Sequence, residues 1–158
     1  MKKLLVLMLV LVCLTLTSCK GNKVPVEDVY GKYDYVKCVY VHSQNTFSKQ
    51  QLNDKYKNKA RYSLKETSFA FYETSETTPS ISLKLTQLTE VKINEGIEDK
   101  EVKQILKGAT TRYDVYKLDQ SQGYCFVFKD DATYFVEFRQ LSKDVRVVWH
   151  VFEIEKRD

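Results

Sequence analysis

From residue 29 onward, apolar and polar residues alternate mostly with a period of two, the mark of half-buried strands. The first run, residues 29–42, is long and interrupted only by Gly31, the natural place for a bulge or bend. Residues 61–72 carry Tyr62, Leu64, Phe69 and Phe71 and read as a second strand. Ile81, Leu83 and Leu85 then alternate with Ser82, Lys84 and Thr86, while Leu88, Val91 and Ile93 either continue that strand past a kink or form another. Four further runs, at 112–118, 124–129, 133–139 and 145–155, are joined by short links rich in turn residues. Links that short permit only antiparallel neighbours, so this part is a meander.

Tyr124, Phe126 and Phe128 share one face of their strand, and Tyr134, Val136 and Phe138 one face of the next. Together they predict a strongly aromatic surface. In the last strand Val147, Trp149 and Val151 oppose Val148, Phe152 and Ile154, which leaves no face for water. Such a strand is paired on both flanks, and the first strand is the available second partner. The predicted fold is mainly β: an antiparallel barrel, closed or nearly so, of about 7–9 strands with one or two short helices. An α+β open sheet packed on one helix is the alternative.

Two stretches change period. Ser48 with Gln51 makes a capping-box start, and Leu52 and Tyr56 lie four apart, which suits a short helix. Residues 98–107 (EDKEVKQILK) form the clearer helix, with an acidic first turn, Val102, Ile105 and Leu106 on one face, and Gly108 as the stop. Lys49, Lys55, Lys57, Lys59 and Arg61 cluster around the first of these, as a solvated loop face or a contact for anionic headgroups.

The chain opens differently. Lys2 and Lys3 precede an apolar run, residues 4–14, too short to cross a hydrocarbon core of roughly 30 Å. The residues Leu16-Thr17-Ser18-Cys19 that follow resemble a bacterial lipobox. The resemblance implies acylation of the Cys19 thiol and cleavage before it. Two or more acyl chains make a stable anchor. The implied organisation is a signal peptide over 1–18, the lipidated Cys19 and a tether over 19–28, and one β-rich domain over 29–158. Lys20 in place of an aspartate favours the outer membrane, facing the periplasm. Gly31-Lys32-Tyr33, at the start of the first long strand, resembles the Gly-x-Trp opening of lipocalin-type proteins, and the domain is similar to the small lipocalin-like lipoproteins of Bacteroidetes. That resemblance implies a barrel with an internal ligand.

Composition narrows the function by exclusion. Without residues 1–18 the chain has 23 Lys plus Arg against 21 Asp plus Glu, too balanced for a nucleic-acid partner. The eleven Tyr and eight Phe suit pleated surfaces and furnish an aromatic interior: Tyr33, Tyr35, Tyr124, Phe126, Phe128, Tyr134 and Phe138 are the candidate contacts for a small apolar ligand, or simply fill the core. Cys38 and Cys125 remain in an oxidising compartment as a disulfide or as two buried thiols. His42 and His150, with Glu137 or Glu153, are the one remote metal set, and no cofactor is expected. No nucleophile elbow and no phosphate-cradling glycine loop occurs; carboxylate pairs could be drawn from Glu137, Glu153 and Asp131 as from any acidic surface. The expected function is therefore a non-catalytic, membrane-anchored envelope lipoprotein that binds a small apolar ligand. The alternative is a protein-interaction lipoprotein (a periplasmic enzyme inhibitor, immunity or assembly factor) using loops 43–58 and 73–79.

Overall fold

Two extra residues in the first strand set the curl of the sheet. In the computed structural model, which describes residues 23–74, 77–116 and 121–158, β1 (Gly31–Val41) pairs antiparallel with β9 (Val145–Arg157). The register slips between Tyr35 and Lys37 and again between Cys38 and Tyr40, so Val36 and Val39 are bulged. Each bulge adds local twist and bends the strand. The bend expected at Gly31 is therefore displaced. Gly31 instead opens β1 at φ +154°, where a Cβ would come 2.7 Å from Cε of Lys156.

Among the described residues nine strands form one sheet in the order β4-β3-β2-β1-β9-β8-β7-β6-β5, all antiparallel, curled into a half-barrel. The others are β2 (Arg61–Lys65), β3 (Ser68–Tyr72), β4 (Ile81–Lys84), β5 (Thr89–Glu90), β6 (Thr111–Asp114), β7 (Gln122–Lys129) and β8 (Ala132–Ser142). The run at 61–72 is thus a hairpin, turned at Glu66 and Thr67, rather than one strand. The step from Leu64 to Phe69 is odd, so a continuous strand would have put its apolar residues on opposite faces. First and last strands are neighbours, as the two-sided β9 requires. In the run at 112–118 the strand β6 ends at Asp114, and residues 117 and 118, with the lipobox and Cys19, lie outside the described residues.

The two faces of the sheet carry two cores. Inside the curl, rings from strands far apart in the order meet: Tyr62 and Phe135 at 4.6 Å, Tyr33 and Phe126 at 5.3 Å, Phe69 and Tyr124 at 5.5 Å between centroids. Such contacts across non-neighbouring strands show the sheet folded over on itself. Helix α2 (Lys49–Tyr56) closes one end with Leu52 and Tyr56, behind the capping box of Ser48 and Gln51. The other end holds α1 (Val26–Val29), whose Val29 is fully buried. On the convex face Tyr40, Cys125, Val127, Val136, Phe138, Val148 and Val151 pack beneath α3 (Lys100–Ile105), which Asp99 caps through Val102 N–H at 3.1 Å.

This two-sidedness matches one of the two readings of the cysteines, two buried thiols, and corrects the expected placement of two aromatics. Cys38 belongs to the inner core and Cys125 to the outer one, and both are free thiols. Three strand spacings separate β1 from β7 along the sheet, about 14 Å, against the roughly 7 Å limit for bridging. Burial pushes the Cys38 thiol up to about 11 and Cys125 to about 12, so both stay protonated and inert at neutral pH. Tyr134 and Phe138 likewise sit on the convex side, Phe138 buried and Tyr134 packed against its margin. Inside, β8 presents Phe135 and Glu137 instead.

Candidate functional site

Five of the seven aromatics singled out in the sequence do gather inside: Tyr33, Tyr35, Tyr124, Phe126 and Phe128. They are joined by Tyr62, Phe69, Phe135 and Phe152, with centroid separations of van der Waals contact. Tyr124 and Phe135 stack at 5.4 Å, and Phe69 and Phe135 at 5.7 Å. Most of the interior is therefore filled by its own rings.

Space opens where the curl fails to close. β4 and β5 end the two flanks of the sheet without a ladder between them. Residues 85–88 bridge this seam, with Leu85 and Leu88 turned into the core. A cleft of about 510 Å³ runs along it, lined by Leu83, Leu85, Thr86, Gln87, Val115 and Tyr116 among others. The Tyr116 ring meets Tyr124 edge-on at 5.5 Å, so one wall of the cleft leads directly to an interior tyrosine.

The phenol hydroxyls divide sharply. Tyr33 donates to Val29 O at 2.6 Å, Tyr35 to Asn53 Oδ1 at 2.6 Å, Tyr40 to Asp99 Oδ2 at 2.8 Å, and Tyr113 to Val24 O at 2.8 Å. Tyr62 and Tyr124, each 1% exposed, have no hydrogen-bond partner for their hydroxyls among the described residues. Burial raises both phenols well above their usual range, so each is a protonated donor. Natural interiors rarely leave such donors unmet.

Beside them stands a buried carboxylate. Glu137 pairs in register with Tyr124 on one side and His150 on the other, all three facing inward. Its Oε1 accepts from Arg139 Nε at 2.6 Å and from Gln122 Nε2 at 3.2 Å; Oε2 faces His150 Nδ1 at 3.1 Å. Burial alone would raise the Glu137 value. The hydrogen bond from His150, with the hydrogen bond and charge of Arg139, outweighs burial and holds it below the usual carboxylate range. The Asn45 amide is oriented by Phe47 N–H, which donates to Oδ1 at 2.9 Å. Its Nδ2 therefore points at His150 Nε2, 2.5 Å away, which assigns the proton of the imidazole to Nδ1. The nitrogen that would activate a nucleophile is thus taken by an amide.

His42 does not join this group. Its ring stacks on Trp149 at 5.5 Å, while Glu153 turns outward to Lys37. Among the described residues no three His, Cys, Asp or Glu side chains converge on a metal-sized site. The lysine cluster also disperses: Lys49 pairs with Glu101, Lys55 with Glu73 and Arg61 with Asp34. Sequence reasoning missed Tyr62, Tyr116 and Asn45. Only a glutamate flanked by Val136 and Phe138 inside a strand hinted that Glu137 is buried. No family model matches the chain, and no significant match to a curated protein or a solved structure is found.

Proposed function

We propose that this protein is a non-catalytic binding module, lipid-anchored through Cys19 in a bacterial cell envelope, that takes a small, largely apolar ligand at the seam between β4 and β5. The seam cleft carries the ligand part of this reading. At about 510 Å³ it falls within the roughly 300–1,000 Å³ of small-molecule sites, and Leu83, Leu85, Val115 and Tyr116 share its lining with the polar Lys84, Thr86, Gln87 and Thr89. A ligand that displaces the Tyr116 ring meets the ring of Tyr124, whose buried hydroxyl has no hydrogen-bond partner among the described residues. The preferred ligand accordingly has an apolar body and one hydrogen-bond acceptor. The lipobox residues 16–19 support the anchor, and Lys20 favours placement in the outer membrane facing the periplasm in a Gram-negative cell.

Native mass spectrometry of intact protein extracted from its own cells in detergent tests the ligand. A small-molecule adduct is expected in the wild type and absent in Leu83→Arg, which puts a charge in the cleft. No adduct, or the same adduct in both proteins, refutes the cleft; a bound protein instead favours the interaction reading. For the anchor, Cys19→Ala is expected to shift the protein to the soluble fraction, and full membrane retention refutes acylation there.

A further inference from the structure

Residues 43–47 lie in the loop between β1 and α2, and of these five only Asn45 is not exposed. Among the described residues two hydrogen bonds tie this loop to side chains outside it, and both end on an imidazole. Asn45 Nδ2 donates to His150 Nε2 at 2.5 Å, and Gln44 N–H donates to His42 Nδ1 at 3.3 Å. The two rings are themselves fixed, His150 by stacking on Phe152 at 5.0 Å and His42 on Trp149 at 5.5 Å. Within the loop, Phe47 N–H donates to Asn45 Oδ1 at 2.9 Å, so the amide cannot turn freely. Lys55 Nζ on α2 stands 5.4 Å from the Phe47 ring centroid, a weak hold at an exposed site. His42 and His150 are the only histidines in the chain, and both serve this loop as acceptors.

An imidazole that accepts is a neutral one. Imidazole changes charge between about pH 5 and 8, and the imidazolium donates from both nitrogens. A proton added at His150 Nε2 sets two donors face to face across 2.5 Å. Turning the amide over gives no relief, because Nδ2 would then oppose Phe47 N–H. A proton added at His42 Nδ1 likewise faces Gln44 N–H. Charges of both signs stand around the rings. Glu137 faces His150 Nδ1 at 3.1 Å and is itself paired with Arg139, while Gln122 of β7 and Tyr56 of α2 bring no charge. Asp99, just before α3, couples its charge to His42, and Arg139 stands 5.0 Å from the centroid of Trp149. Lys49 and Lys55 of α2 are paired with Glu101 and Glu73. A carboxylate is therefore at hand for either imidazolium, whereas the loop offers both rings only donors.

We infer that residues 43–47 form an acid-released latch, held closed by neutral His42 and His150 and let go when both rings become imidazolium. It depends on neither the anchor nor the ligand proposed above. Release takes Asn45 away from the Glu137–His150 pair and leaves the charged ring to water. The test is nuclear magnetic resonance on intact, nitrogen-labelled protein in detergent micelles, at about pH 7.5 and about pH 5. Backbone order parameters of residues 44–47 should fall from the rigid range near about 0.85 toward the flexible range below about 0.6, while those of β1 and β9 stay unchanged. The fall should follow the titration of the two imidazoles, read in the same samples by two-bond proton–nitrogen spectra. Those spectra should place the proton of neutral His150 on Nδ1. In His42→Phe/His150→Gln the stack on Trp149 and an acceptor for Asn45 are kept without a titrating ring, so the loop should keep its order at both pH values. Wild-type order that does not change with pH overturns the inference, as does a double variant that loosens with acid as the wild type does. Should that variant not fold, the wild type decides alone: a proton on Nε2 of neutral His150, or loosening that does not follow the imidazole titration, overturns it equally.

Discussion

Removing a single oxygen from Tyr124 or Tyr62 should stabilise the fold, and removing one from Tyr33 should weaken it. All three rings are buried and packed against other rings, so Tyr→Phe leaves the aromatic contacts in place. What differs is the hydroxyl. At Tyr33 it donates to the Val29 carbonyl at 2.6 Å, tying α1 to β1. Deleting it loses a net hydrogen bond and strands a buried acceptor, together about 1–2 kcal/mol. At Tyr62 and Tyr124 the hydroxyl was desolvated without compensation, which costs about 1–3 kcal/mol in the folded state. Phenylalanine there removes that cost, so a gain of about 1 kcal/mol is expected for each. With a urea m-value of about 2 kcal/mol/M for a chain of this size, the midpoints should move about half a molar in opposite directions. Equilibrium urea unfolding of ligand-free protein at pH 7 measures this directly. If Tyr124→Phe and Tyr62→Phe lower the midpoint as much as Tyr33→Phe, both hydroxyls are bonded in solution and the donor assigned to the ligand is already spent. The same variants carry the functional corollary: Tyr124→Phe should gain stability yet lose ligand.

Arg112, 0% exposed, donates to Asp114 Oδ1 at 2.9 Å and to the Ile93 and Glu95 carbonyls, so it pins the loop before α3 to the sheet. Arg112→Met leaves a buried carboxylate and two carbonyls unpaired and is expected to cost about 3–5 kcal/mol in the same unfolding assay; a loss below about 1 kcal/mol would show that water replaces the guanidinium. Glu137 has a folded-state value below that of the unfolded chain, so its contribution is complete above the unfolded carboxylate value of about 4.3 and is lost as pH falls through the folded value. The urea midpoint of wild type should therefore fall more steeply with acid than that of Glu137→Gln, and parallel profiles would mean that Glu137 is not held ionised by His150 and Arg139.

Much of this architecture is legible in the chain because period-two alternation survives in it. The C-terminal meander, the pairing of β1 with β9, the capping box at Ser48 and the helix stopped by Gly108 all follow from local pattern. Where the pattern has two equally apolar phases, local signals lose their power. β8 reads Tyr134-Phe135-Val136-Glu137-Phe138, aromatic or aliphatic in both phases around one glutamate, and sequence cannot say which phase faces the curl. The larger aromatic set, Tyr134 and Phe138, went outward because α3 needs an apolar bed, while Glu137 went inward to meet His150. Bulges at Val36 and Val39 are equally silent, since a bulged valine looks like any other strand residue. The cleft at the seam depends on β4 and β5 not meeting, a property of total curl that no short window contains.

That incomplete closure raises the question of what holds the flanks together, and the N-terminal segment supplies the answer. Val24 N–H donates to Thr111 Oγ1 at 3.0 Å and Val24 O accepts from Tyr113, both near β6. Four residues on, Asp28 O accepts from Lys156 Nζ on β9 at 2.6 Å, and Val29 is buried against β1. Residues 24–29 therefore cross beneath the interior and tie one flank of the half-barrel to its centre with side-chain bonds in place of a ladder. Bonds of that kind give way at lower cost than paired strands, because only two or three need break rather than a whole register. A sheet closed by a strap can widen its seam without losing any strand pairing, and the strap is the very stretch of chain that leads back to Cys19. Under the function proposed above, ligand entry at the seam and attachment at the membrane would act on the same few hydrogen bonds, which is the physical reason to treat them as one device.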